Sequence, residues 1–240
     1  MLKKAIAVLG AMSIAGMIAM LIAPAGATPP SSTTNQPVFD PGNFVSVIDN
    51  PYFPLPVGRV LVYSGFRDGV TQTDTVTVTN QTKVILGVTA TVVSDVAKHG
   101  DTILEQTSDW YAQDRDGNVW YLGEDTKHFL PHGKVDTSGS WEAGVNGAIP
   151  GIIMEGHPAI PDAYRQELLT GQAEDTAWVV NTTGTVKVAY GNVRNILTTL
   201  EATRIEPGVY DTKIYGPGLG IVQEKSLDGT EFAELVSVTG

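Results

Sequence analysis

The stretch Thr73-Asp-Thr-Val-Thr-Val-Thr79 alternates threonine with valine over its length. Successive side chains of an extended chain point to opposite faces, so this pattern places valine on one side and threonine on the other. Both are β-branched and suit a half-buried strand. The same period of two continues outward. Upstream, Val60, Val62 and Ser64 alternate with Leu61, Tyr63 and Gly65; downstream, Val84–Val96 is a β-branched run interrupted by Gly87. Ile103–Gln113 and Asn118–Leu122 flank Asp114-Arg-Asp-Gly117, whose Asp-Gly pair favours a hairpin turn. Further strand candidates are Ala177–Asn181, Thr185–Ala189, Asn195–Thr203, Tyr210–Tyr215, Gly220–Lys225 and Glu231–Val238. Short strands separated by Gly, Asn and Asp-Gly are the all-β signature, and hairpin connections make the pairing antiparallel. The expected fold is a single curved antiparallel sheet or half-barrel of about ten strands, with at most two short helices.

Three segments depart from the rhythm. Asn50–Gly58 carries three prolines in six positions, which precludes a regular helix; its Tyr52, Phe53 and Leu55 are expected to plug one end of the core. Asp136–Pro161 is glycine- and proline-rich with few periodic residues and reads as a long lid or binding loop. Asp162–Gly171 carries a helix signature, Asp at the start and Gly at the end. Yet Pro161-Asp162 before Tyr164 echoes the approach to the strand at Val60, and the strand reading is slightly favoured.

The chain of 240 residues has 15 Lys plus Arg against 26 Asp plus Glu, and no cysteine. A formal charge of −11 argues against a nucleic-acid surface, which needs a basic stripe. The lack of cysteine excludes disulfides, thiolate metal sites and a thiol nucleophile. Lys3 and Lys4, the apolar run Ala5–Ile22 and Ala25-Gly26-Ala27 form an export signal with a small-x-small cleavage pattern. The expected organisation is a signal peptide over residues 1–27, a Pro/Ser/Thr tether over 28–37 and one β-rich domain over 38–240. Cleavage leaves 13 basic against 26 acidic groups and no membrane span.

Several motifs occur in fixed order: Tyr52-Phe-Pro-Leu-Pro-Val-Gly58, Asp109-Trp-Tyr-Ala-Gln-Asp114, Gly117-Asn-Val-Trp-Tyr121 with Gly123-Glu-Asp125, Gly139-Ser-Trp-Glu-Ala-Gly144, Tyr164-Arg-Gln-Glu167, Gln172-Ala-Glu-Asp175 and Tyr215-Gly-Pro-Gly-Leu-Gly-Ile-Val-Gln-Glu224. Together they resemble a family of exported bacterial proteins of unassigned function, over about residues 50–238. The last motif loosely resembles the closing strands of periplasmic lipoprotein-carrier proteins, curved antiparallel sheets that hold an acyl chain. The resemblance implies a fold and a location outside the cytoplasm, and brings no catalytic residues.

Trp110, Trp120 and Trp141 lie within 32 residues, beside Tyr121, Glu124 and Glu142. Trp110 and Trp120 flank the Asp114–Gly117 turn and could meet across the hairpin. This cluster reads either as an aromatic-walled pocket rimmed by carboxylates or as an ordinary aromatic core. Arg165, between Tyr164 and Gln166, could clamp an anionic headgroup or pair with an acid such as Glu167. Glu124, Glu142, Glu167 and Glu174 are the candidates for a hydrolytic carboxylate pair. Asp114-Arg-Asp116-Gly-Asn118 misses the spacing of a calcium loop, and calcium across Glu174-Asp175 stays open. His128 and His132 have metal-pair spacing, but Pro131 and Gly133 make them loop histidines instead; no resident metal or cofactor is expected. No nucleophile elbow, phosphate loop or dinucleotide fingerprint occurs.

The favoured function is an exported, non-enzymatic binding protein. Its ligand would be small and apolar or amphipathic, held in the concave face by Trp110, Trp120, Tyr121, Glu124, Trp141, Glu142, Tyr164 and Arg165. The alternatives are an exported hydrolase using acids near Trp120–Trp141 and a cell-envelope structural module. N-terminal sequencing of secreted protein is expected to start near Thr28 with no lipid attached; an intact Met1 in the membrane fraction would contradict cleavage.

Overall fold

The computed structural model describes residues 36–240. The expected signal peptide and residues 28–35 of the expected tether lie outside the described residues. The described chain forms eighteen strands and two single-turn 3-10 helices, Pro41–Asn43 and Pro131–Gly133. In order, the first strands are β1 (Phe44–Val45), β2 (Val60–Arg67), β3 (Val70–Ile85), β4 (Val88–His99), β5 (Thr102–Asp114) and β6 (Val119–Leu130). Then come β7 (Lys134–Asp136), β8 (Trp141–Glu142), β9 (Ile149–Met154), β10 (Ala163–Arg165), β11 (Glu167–Leu168) and β12 (Asp175–Asn181). The last are β13 (Thr185–Val188), β14 (Gly191–Arg194), β15 (Leu197–Thr203), β16 (Asp211–Gly216), β17 (Gly220–Ser226) and β18 (Glu231–Thr239).

The main sheet runs β10-β12-β15-β16-β17-β18-β2-β3-β4-β5-β6-β9-β11, antiparallel throughout, and is nearly closed into a barrel. Two meanders, β2–β6 and β15–β18, supply most of the wall, and the last strand pairs with β2. Closure falls to one short segment. Ala163–Arg165 pairs with β12, whereas Glu167–Leu168 pairs with β9. Between them Gln166 N–H donates to Asp175 O at 2.8 Å. The mostly-β antiparallel expectation therefore holds, and the strand reading of Asp162–Gly171 with it. The count exceeds ten because several pieces are only two to four residues long.

The Asp136–Pro161 loop is a correction. It contains β8 and β9, and β9 pairs with β6 and is almost wholly buried. Ile149-Pro-Gly-Ile-Ile-Met154 is covered on both faces, so it shows no alternation, and its Pro and Gly read as loop. Gly151 is required there by close approach: a Cβ would lie 2.2 Å from the carbonyl oxygen of Gln166.

The expected plug is present. Phe53 is fully buried and meets Tyr111 edge-on, ring centroids 5.2 Å apart. Asn50 ties the segment down. Its side-chain oxygen accepts from the Tyr52 and Phe53 amides, and its Nδ2 donates to the carbonyls of Gly117 and Glu155. Gln113 Oε1 accepts from the Asp49 and Asn50 amides. The proline-broken backbone is thus satisfied by side chains, as buried polar groups require.

Replacing Gly151 with alanine forces β9 away from the closing segment. Chemical denaturation is expected to show a loss of about 1–3 kcal/mol, the usual cost of overpacking; an unchanged midpoint would mean that closure does not depend on this contact.

Candidate functional site

Inward positions change character along every long strand, always toward the same end of the barrel. In β2 they run from Leu61 and Tyr63 to Arg67; in β3, of opposite direction, from Gln72 and Asp74 to Val76 and Val78. In β4 Ala90 and Val93 precede Asp95, and in β5 Glu105, Thr107 and Asp109 precede Tyr111. The second meander repeats this: Leu197 before Glu201, Asp211 and Lys213 before Tyr215, Val222 before Glu224, and Glu231 before Leu235. Antiparallel register therefore stacks apolar side chains at the end sealed by Phe53 and Leu55, and ionisable ones at the other.

Carboxyl groups dominate the ionisable end. Among the described residues, twelve acidic side chains are buried, against Arg67, Lys213 and His128. Arg67 pairs with Glu231 opposite it. His128 Nε2 lies 2.7 Å from Glu105 Oε2. Lys213 Nζ lies 2.9 Å from Glu201 Oε2 and 3.9 Å from Glu224 Oε1. Glu201 is well satisfied, since its Oε1 also accepts from the hydroxyls of Thr199 and Tyr215. Three oxygens around them are buried without a hydrogen-bond partner: Asp175 Oδ1, Asp211 Oδ1 and Glu224 Oε2. These groups, with Ala202, Thr203, Glu206 and Val209, line a small pocket that opens to solvent.

Burial sets the protonation of this pocket. It pushes the Glu224 carboxyl up to about 8 and that of Asp175 to about 7, in both cases against the pull of the Lys213 ammonium. Thr203, through a hydrogen bond, also favours the charged form of Asp175. Asp211 rises to about 6, and Glu231 to about 7 despite Arg67. Lys213 is desolvated too, but Glu201 and Glu224 outweigh that and hold it charged.

Deeper in the lumen is a second polar group. Tyr121 OH donates to Asp109 Oδ1 at 2.7 Å, leaving Asp109 Oδ2 buried without a partner. Glu167 is buried, and the Trp141 indole is near enough to favour its charged form, yet neither completes a hydrogen bond of normal geometry. The Tyr164 hydroxyl is likewise buried without a partner. Burial raises both Asp109 and Glu167, helped by Asp95 beside the first and Asp175 beside the second.

The residues singled out from the sequence divide. Tyr121, Glu124, Trp141 and Tyr164 are buried around this deeper group: Trp141 meets Tyr121 edge-on at 5.2 Å, and Glu124 lies opposite Asp109. The others are elsewhere. Trp120 packs on Phe39 and Phe44 and donates to Asp114. Trp110 carries the Lys83 ammonium 3.3 Å from its ring centroid, and that ammonium also pairs with Glu142. A bulge between Asp109 and Tyr111 turns Trp110 away from the lumen, and its register sets Trp120 against Ala112. Arg165 takes the opposite strand face from Tyr164 and donates to Pro150 O at 3.4 Å.

Two further expectations meet their geometry here. Asp114 spends its carboxylate on its own turn, accepting from Asp116 N, Asn118 N and Trp120 Nε1. His128 corrects the loop reading: it lies in β6 and is buried against Glu105, whereas His132 is exposed with φ of 64°. The sequence reading missed Asp175, Asp211, Lys213 and Glu224 as one site. The available signal was a charged residue at an inward position of successive strands, which becomes a cluster only once the register is known.

No family model matches the chain, and no curated protein matches it. Among solved structures, a provisionally named lipoprotein from Parabacteroides distasonis ATCC 8503 is similar, with 11% sequence identity and a TM-score of 0.43. The match covers 82% of this chain and 99% of that one.

The folded-state carboxyls near 6, 7 and 8 lie above the unfolded values near 4. The folded form then holds protons that the unfolded form releases. The contribution of these groups to stability is full below about pH 4 and is lost as pH rises through about 6 to 8. Each tenfold displacement of a proton equilibrium is about 1.4 kcal/mol, so the thermal midpoint is expected to fall measurably between about pH 5 and pH 8.5. A midpoint that rises over this interval would contradict the assignment.

Proposed function

We propose that this chain is an exported, non-enzymatic binding protein whose amphipathic ligand enters through the acidic end of the barrel. The observation that carries the reading is the set of buried, unpartnered oxygens on Asp175, Asp211 and Glu224, three side chains that line one pocket. Natural interiors rarely leave such groups unsatisfied, and a ligand or bound water supplies the missing partners. A wholly apolar ligand has less support, because the apolar end is filled by its own side chains and by Phe53 and Leu55. Export rests on the signal at residues 1–27 and on the motif resemblance. Among the described residues no helix is long and apolar enough to cross a membrane. The deeper group, Tyr121, Trp141 and Tyr164 with Glu124, is the inner wall of the same lumen; Trp110, Trp120, Glu142 and Arg165 support the wall from outside.

One observation favours an enzyme instead: carboxyls displaced toward neutrality and converging in a cleft are what acid–base catalysis uses. Native mass spectrometry of protein purified from its own host separates the readings. The expected result is a stoichiometric small-molecule adduct, diminished in the Asp175→Asn variant. Protein that emerges free of any adduct would overturn the binding reading.

A further inference from the structure

We propose that the acid-lined pocket takes a small organic ammonium, its N–H donors received by the free oxygens of Asp175, Asp211 and Glu224. This rests on the binding reading above and names the ligand class. The groups facing the pocket come from every element around it: Asp175 of β12, Glu201 of β15, Glu206 of the following turn, Asp211 and Lys213 of β16, and Glu224 of β17. Lys213 is the one cation among these lining residues, and its contacts are with Glu201 and Glu224 Oε1. Asp175, Asp211 and Glu224 are each more than nine-tenths buried, and each keeps an oxygen with no partner. Three buried oxygens without donors, beside a single ammonium already engaged, describe a site short of hydrogen-bond donors.

The chemistry of those donors follows from the remaining lining. An ammonium offers three N–H donors and no acceptor, which matches three unpartnered oxygens. Lys213 already shows an ammonium held charged by this lumen. A compact dication would meet the Lys213 charge at close range, where a low dielectric magnifies repulsion. The pocket is small, with room for a charged head only, and Ala202 and Val209 add apolar wall along which a short aliphatic stem would lead out to solvent. Since Asp175 and Glu224 hold protons near neutral pH, a bound ammonium must displace them, and affinity should strengthen as pH rises.

The test is calorimetric titration of the purified protein with butylamine at about pH 8 and pH 6. Binding at the higher pH is expected, weakened about tenfold or more at the lower by proton competition. Asp175→Asn and Glu224→Gln are each expected to weaken binding at least tenfold while the protein stays folded by circular dichroism; Asp101→Asn, on an exposed turn, is the unaffected control. If either pocket variant fails to fold, the pH dependence in the unsubstituted protein decides alone. No binding at millimolar butylamine overturns the proposal, as does binding indifferent to pH and to both substitutions. Calcium binding that needs the same residues, or a host-derived adduct with no amino group, overturns the ammonium class and leaves the binding reading standing. An adduct-free native spectrum together with no butylamine binding overturns both.

Discussion

The Lys213 ammonium holds the acidic half of the barrel together. It sits between Glu201 and Glu224, on a strand flanked by the strands that carry them, and its field reaches Asp175, Asp211, Asp109 and Glu167. A buried ammonium is costly to desolvate and is retained only where carboxylates compensate it closely. The reverse dependence is equally strong. Without that charge the Asp211 and Glu224 carboxyls would lose the main force opposing their desolvation. Arg67 does the same for Glu231 one strand pair along. Two cations thus anchor a wall whose acids outnumber them several-fold.

That excess runs against ordinary sheet design. Glu201 lies directly opposite Asp211, and Asp109 opposite Glu124, so like charges are cross-strand neighbours on a buried face. Such pairs are destabilising, and burial adds to the cost. The structure accommodates them by proton uptake: burial raises one carboxyl of each pair, Asp211 to about 6 and Asp109 well above the usual carboxylate range. A chain selected for stability alone would fill those positions with valine, as it does at the other end of the same strands. Conflict between local rules and a retained residue is where functional sites concentrate, which is why the acidic pocket, and not the aromatic belt, carries the functional reading.

The aromatic residues have become structural supports. Trp120 with Phe39 and Phe44 clamps the start of the described chain onto β5 and β6, and Tyr111 stacked on Tyr121 forms the floor on which Phe53 rests. The apolar end is therefore sealed. The acidic end instead keeps a small pocket that opens to solvent, lined by carboxyls that Lys213 only partly compensates.

Much of the fold was legible from local sequence. Threonine–valine alternation at Thr73–Thr79, the Asp114–Gly117 turn and the hairpin-spaced strands through Val238 specify antiparallel β-structure, because side-chain period and turn chemistry are properties of a few adjacent residues. The plug at Phe53 was legible for the same reason: proline restricts its own backbone. What local sequence could not reveal was β9, whose burial on both faces erases alternation, and the division of Trp110 from Tyr111, which a single bulge decides. The lumen's two halves are likewise a tertiary fact. Asp175, Glu201, Asp211, Lys213 and Glu224 are spread over fifty residues, and each is one inward charge on its own strand. Only the register of antiparallel neighbours, alternating in direction, brings every charged end to one mouth, because electrostatic interaction depends on distance in space and takes no account of separation along the chain.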